Sequence, residues 1–142
     1  MVRLQSEPIR AEDLVALVAA DEDGAVAVFL GTVRNHSAGR RVLYLDYEAY
    51  RGMAEAEMAR IEREALDRFG VSAIAVVHRS GRLGIGEVSV GVAVASAHRA
   101  QATDACRFVI DELKRTVPIW KREHFEGGGA VWVEGPDRQP AR

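Results

Sequence analysis

The sequence predicts an α+β fold in a single domain, with a mainly antiparallel sheet packed by helices. Three observations carry this. Three separated segments repeat apolar residues at helical spacing. Between them lie short apolar runs, of which EVSVGVAVAS (87–96) alternates most regularly. The strand connections suggest antiparallel pairing.

Taken in order, AEDLVALVAA (11–20) places Leu14, Leu17 and Val18 on one helical face, and residues 21–24 end that helix. GAVAVFLGTV (24–33) reads as a buried strand. RNHSAGRR (34–41) is a polar loop, and VLYLDYEAY (42–50) a second strand. A loop joining two strands predicts that the two pair antiparallel. Residues 53–70 form a second helix, with Ala54, Met58, Ile61, Ala65 and Phe69 along one face and Gly70 placed to stop it. VSAIAVVH (71–78) is a third strand and RSGRLGIGE (79–87) a glycine-rich turn. In the strand that follows, Val88, Val90, Val92 and Val94 share one face. Ser89, Gly91, Ala93 and Ala95 make the other, which is uniformly small and suits a closely seated helix. The next segment, 98–117, is the expected occupant. Its stripe is Ala102, Cys106, Val109 and Leu113, and Pro118 follows its end. Two short strands around Gly127–Gly129 complete the domain. Its expected extent is residues 1–135, with 136–142 as a flexible tail.

Bulk properties exclude several classes. The 142 residues suffice for one real core, and the net charge of −2 argues against general nucleic-acid or membrane-surface binding. No apolar run approaches the roughly 20 residues of a membrane span, and the first residues lack a signal peptide's apolar segment. The expected location is cytoplasmic. One cysteine makes neither an internal disulfide nor a cysteine zinc site. Cys106 sits on an apolar stripe, where cysteine behaves as a small hydrophobe. The triple glycine opens no helix and lacks the lysine of a phosphate loop. The four histidines show no metal-ligand spacing, so no metal is expected.

What remains is cationic. Arg34, His36, Arg40 and Arg41 share one loop. His98 and Arg99 stand where the last helix begins, and a helix N-terminus attracts anions. Lys114 and Arg115 lie in that helix's last turn, and Lys121 and Arg122 follow Pro118-Ile119-Trp120. Each charge taken singly suits a solvated surface; together they suit an anion-binding pocket. Lys121 beside apolar residues is a candidate for a perturbed lysine.

Four segments together carry a resemblance: GAVAVFLGTVRNHSAG (24–39), YEAYRGMAEAEM (47–58), VVHRSGRLGIGEVSVGVAVASAHR (76–99), and FVIDELKRTVPIWKREHFEGG (108–128) with WVEG (132–135). The chain resembles the large, catalytic subunit of molybdopterin synthase. That implies an α/β-hammerhead homodimer, each subunit binding a small ubiquitin-like sulfur carrier to give a heterotetramer. It implies a sulfurtransferase of molybdenum cofactor biosynthesis, without metal or cofactor. Cyclic pyranopterin monophosphate (precursor Z) becomes the dithiolene molybdopterin, and the sulfur arrives on the partner's C-terminal Gly-Gly thiocarboxylate.

The resemblance assigns catalysis to Lys114 and Lys121. It assigns substrate binding to Phe29, Thr32, Val33, Arg34, His98, Arg99, Arg122 and Glu123. Arg138 is at most a substitute for an arginine that relatives carry shortly after the WVE match. Arg99 and Lys114 lie fifteen positions apart on one helix, roughly 22 Å along its axis. A homodimer in which His98 and Arg99 of one subunit complete the pocket of the other would reconcile the two assignments. The competing expectation is a non-catalytic module that holds a ubiquitin-like tail or a phosphorylated metabolite. An RNA- or nucleotide-binding domain has the basic clusters but neither the aromatic motifs nor the positive net charge.

Overall fold

The structure, a computed structural model, describes residues 1–133. The expected tail, 136–142, and Arg138 lie outside the described residues. Two sheets divide the chain. The first has the strand order β1 (Val2–Gln5), β5 (Ala73–Arg79), β7 (Val88–Ser96), β2 (Ala25–Thr32). The second runs β3 (His36–Ser37), β4 (Arg40–Ala49), β8 (Ile119–Phe125), β9 (Ala130–Val133), with β6 (Gly81–Gly84) also paired to β4. Every pairing is antiparallel except β1 with β5. Three helices, α1 (Ala11–Val18), α2 (Arg51–Phe69) and α3 (Arg99–Thr116), complete an α+β domain.

The helices follow their stripes. Ala54, Met58, Ile61 and Ala65 of α2 are buried, as are Ala102, Cys106, Val109 and Leu113 of α3. Gly70 stops α2 in the left-handed conformation. Both long helices pack on the sheet face that carries the β7 valines, α3 over β7 and β2 and α2 over β1 and β5, and Val90, Val92 and Val94 join Met58, Ile61, Ala105 and Val109 in one cluster. This corrects the expectation that α3 takes the small-residue face. The two long helices have the greater apolar area to cover, and they meet the greater apolar area of the sheet. The small face receives α1 instead: Ile9, Leu14 and Val18 pack on Ala93 and Ala95. Gly91 is the point of closest approach. A methyl there would lie 2.4 Å from Leu14 Cδ1 and 3.1 Å from Ile9 Cγ2. Leu17, expected on the buried face of α1, is 47% exposed. With only eight residues, α1 buries the Leu14–Val18 ridge and leaves its flank outside.

A second correction concerns the loop at 34–41. It does not join paired strands, because β2 pairs with β7 while β4 pairs with β8 and β6. The chain crosses here from one sheet to the other. A small hairpin lies inside the loop, turning at Ala38 and Gly39 to pair β3 with β4. The segment read as a glycine-rich turn also contains a strand, β6. Its Leu83 is fully buried in a separate core with Val33, Val42, Leu45 and Phe125.

Cys106 is 6% exposed within the α3 stripe, and burial pushes its thiol pKa up to about 11 against the opposing effect of a hydrogen bond at the Phe29 backbone. A thiol so protonated is a poor nucleophile. Cys106→Ala is expected to leave turnover intact and to lower stability by about 1 kcal/mol in urea melts.

Candidate active site

The four ionisable residues from Lys121 to His124 are separated by the strand that carries them. Successive side chains on β8 point to opposite faces. Lys121 and Glu123 face inward, with side chains 14% and 6% exposed. Arg122 and His124 lie on the other face of the strand, Arg122 exposed and His124 part-buried. Arg122 sits over the Trp132 ring, 5.7 Å from its centroid. His124 stacks on Tyr44 and places Nε2 2.8 Å from Asp46 Oδ2. Arg82, with His124 adding to it, holds the Asp46 carboxyl below its ordinary range. Beyond β8, Gly127, Gly128 and Gly129 all have positive φ, the backbone that returns the chain into β9.

The inward pair meets a cleft where the two sheets join. A register shift between Gly31 and Thr32 turns the end of β2. Val33 is then pinned on both sides: its N–H donates to the Glu87 carbonyl, and its own carbonyl accepts from Gly86. This delivers Thr32, Val33 and Arg34 to the cleft. Strand β4 contributes Leu45 and Tyr47, β7 contributes Ser89, and the last turn of α3 contributes Lys114. Lys121 and Glu123 close the wall, with Lys121 Nζ 4.0 Å from Glu123 Oε1. Two lysines from different elements thus converge with an arginine on one polar, part-buried space. Water-poor surroundings strengthen the pull of such cations on an anion. The enclosed volume is about 60 Å³, small beside the roughly 300–1,000 Å³ of small-molecule pockets.

Six of the ten residues singled out in the sequence line this cleft: Thr32, Val33, Arg34, Lys114, Lys121 and Glu123. Four do not. Phe29 packs against the helical core, and Arg122 lies on the outer face of β8. His98 and Arg99 are exposed at the start of α3, the end opposite Lys114. Among the described residues no group of three His, Cys, Asp or Glu side chains is arranged to hold a metal ion. No described helix is long and apolar enough to cross a membrane.

Sequence reasoning passed over Tyr47, Ser89 and His78. His78 is buried behind the cleft. Its ring meets Tyr47 edge-on at 5.2 Å, and Nδ1 donates to the Arg79 carbonyl at 2.7 Å. Burial lowers its pKa to about 4; the charge of Lys114 adds to this and the Arg79 hydrogen bond opposes it. A histidine that ionises near pH 6.5 when unfolded but near 4 when folded binds fewer protons in the native state. Its stabilising contribution is therefore complete above pH 6.5 and is lost as pH falls through 4. Urea melts of the protein are expected to show a loss on the order of 2–3 kcal/mol from this group between pH 7 and 4. In His78→Leu that part of the acid slope should vanish. An unchanged slope would mean that His78 is not held neutral.

Comparison with known proteins bears on this arrangement. Residues 4–116 match the family described as MoaE protein. That span includes Arg34, His98, Arg99 and Lys114; Lys121 and Glu123 lie beyond it. The chain is 43% identical over 136 residues to the molybdopterin synthase catalytic subunit of Pyrococcus abyssi, covering 96% of this chain and 91% of that protein. The crystal structure of molybdopterin synthase from Staphylococcus aureus superposes with a TM-score of 0.87 at 38% identity, covering 92% of this chain and 94% of that one. A more distant likeness, in fold alone, is to the complex of subunits 1 and 2 of molybdopterin-converting factor from Helicobacter pylori. Its TM-score is 0.76 at 20% identity, over 96% of this chain and 91% of that one. The chain belongs to the MoaE protein family.

Proposed function

We propose that the chain is the catalytic subunit of a molybdopterin synthase. It moves sulfur from the C-terminal thiocarboxylate of a small ubiquitin-like partner onto cyclic pyranopterin monophosphate. The observation that carries this reading is the convergence of Lys114, Lys121 and Arg34 on one cleft. Substrate phosphate, partner carboxylate and transferred thiolate are all anionic, and each asks for positioned cations. In each round the thiocarboxylate sulfur bonds to a side-chain carbon of the pterin and displaces an oxygen there, the cyclic phosphate ester at one carbon and an oxygen lost as water at the other. Water then cleaves the bond between that sulfur and the partner's carbonyl carbon, which leaves as a carboxylate. Two such rounds, with opening of the cyclic phosphate, give the dithiolene. A buried, protonated Cys106 agrees with sulfur that arrives on the partner.

The working unit of the proposal is a homodimer within a heterotetramer. Two observations support it. The cleft of one chain is small, and His98 and Arg99 stand at the other end of α3 from Lys114. A second subunit that brings its own His98 and Arg99 to the rim would enlarge the site and add an anion clamp at a helix N-terminus. Reconstitution with the thiocarboxylated partner and cyclic pyranopterin monophosphate tests the activity; no product would overturn it. Mixing inactive Arg99→Ala and Lys121→Ala proteins tests the composite site. About one quarter of wild-type activity is expected after random exchange, since half the dimers are mixed and each has one intact pocket of two. No recovery in verified mixed dimers would place all these residues in one subunit's pocket.

A further inference from the structure

The turn that pins Val33 is itself held from behind. Val33 N–H donates to the Glu87 carbonyl at 3.0 Å, and Gly86 N–H donates to the Val33 carbonyl at 2.8 Å. The Glu87 carboxylate closes the same turn by accepting from the Gly84 N–H, and its Oε1 accepts from Arg79 Nη1 at 3.1 Å. The Gly84 N–H, with the Arg79 guanidinium adding to it, holds this carboxyl below the ordinary carboxylate range. On its other side, Arg79 donates from Nε and Nη2 to the Ser6 carbonyl at 3.1 and 2.9 Å. A guanidinium is a rigid planar fork, so its grip on Ser6 fixes where its Glu87 arm lies.

Arg79 is buried at the end of β5, whose first five residues, Ala73 to Val77, are all apolar. A charge is costly to bury there, and an apolar side chain would fill the space as well. What the charge adds is a defined direction. Arg34 follows Val33, and the residue after it is anchored too: the Asn35 carbonyl accepts from the Val42 N–H at 2.9 Å. Arg34 thus projects from a backbone fastened on both sides, to the turn at 84–87 before it and to β4 after it. Neither Arg79 nor Glu87 is among the described residues that line the cleft. We propose that Arg79 is a positioning residue for Arg34: through Glu87 it holds the turn that pins Val33, and so fixes where the Arg34 cation stands in the cleft. This rests on the sulfur-transfer reading above and gives a task within it to a residue outside the cleft.

The test combines kinetics of the assembled synthase with amide exchange of the chain. Arg79→Met and Glu87→Ala are each expected to lower kcat/KM for cyclic pyranopterin monophosphate about tenfold, within the roughly 100-fold that a misplacement of about 1 Å can cost. Arg79→Lys keeps a cation beside Glu87 and should recover most of that loss. The Glu87 side chain is 46% exposed, so Glu87→Ala carries the test if Arg79→Met fails to fold. In an Arg34→Ala background no cation remains to be placed. Either change should then lower kcat/KM by less than about a further twofold, while its cost in urea melts stays the same. Independently of activity, the Val33 amide should exchange at least about tenfold faster in both variants, relative to Val92 in the β7 core. Equal losses of kcat/KM with and without Arg34 would overturn the inference, as would normal kcat/KM in variants whose melts shift. Unchanged exchange at Val33 would do the same, and it reads the network whether or not the enzyme turns over. Absence of turnover by the reconstituted wild type would instead remove the functional reading itself.

Discussion

Lys121→Ala and Lys114→Ala are each expected to lower product formation by at least about 100-fold, equivalent to about 2.7 kcal/mol of transition-state stabilisation. The reason lies in how the two charges are held. Lys121 is on β8, paired with Tyr47 of β4 and Val133 of β9, and its side chain is only 14% exposed. Lys114 is on the last turn of a helix whose neighbouring Leu113 is anchored in the core. A cation fixed before substrate arrives needs no reorganisation as negative charge develops, which is where such groups gain their catalytic value. Neither lysine belongs to the buried apolar clusters. Melting temperatures should therefore move by only about 1–3 °C. Single-turnover assays with the reconstituted partner measure the effect. Near-normal rates in either variant would remove that lysine from the chemistry.

The second large effect is on stability. Gly91→Ala is expected to cost roughly 1–3 kcal/mol, because the added methyl would collide with Leu14 Cδ1 and crowd Ile9 Cγ2. The reduced freedom of the unfolded chain offsets a few tenths of this. Leu14→Ala removes a side chain that is 2% exposed and is expected to cost about 3 kcal/mol through the cavity it leaves. The double variant should cost less than the sum by about 1 kcal/mol or more, since the alanine at 91 then fills part of the space vacated at 14. Urea melts of the four proteins give the coupling directly. Strict additivity would mean that α1 does not rest on Gly91.

Much of the helical framework was legible from residue spacing. The stripes of α2 and α3 and the stop at Gly70 follow from the 3.6-residue period and the left-handed preference of glycine. The alternation of β7 was equally plain. Which helix covers which face of β7 was not legible, because both faces are apolar and the choice depends on helix length and total area. Sheet membership was hidden for a different reason. Strands β2 and β4 look alike and are adjacent in sequence, and no local pattern records that the chain crosses between sheets at residues 34–41. Strands β1 and β6 have four residues each, too few to show a period.

In the site, Arg34, Lys114 and Lys121 stood out by type and context. Tyr47, Ser89 and His78 did not, because whether a strand residue faces the cleft depends on register. The inward turn of Glu123 is likewise a consequence of β8 alternation once Lys121 is placed.

The parallel pairing of β1 with β5 has a consequence for how the chain is made. Residues 2–5 lie in register with 76–79, so the earliest strand of the domain has no partner until more than half of the chain has left the ribosome. Closing that span is entropically expensive and is recovered only when β5 is itself in place beside β7. Synthesis therefore places the opening segment after the elements that follow it. Until then Val2 and Leu4 stand on an unpaired strand edge, the kind of segment open to pairing with a wrong partner.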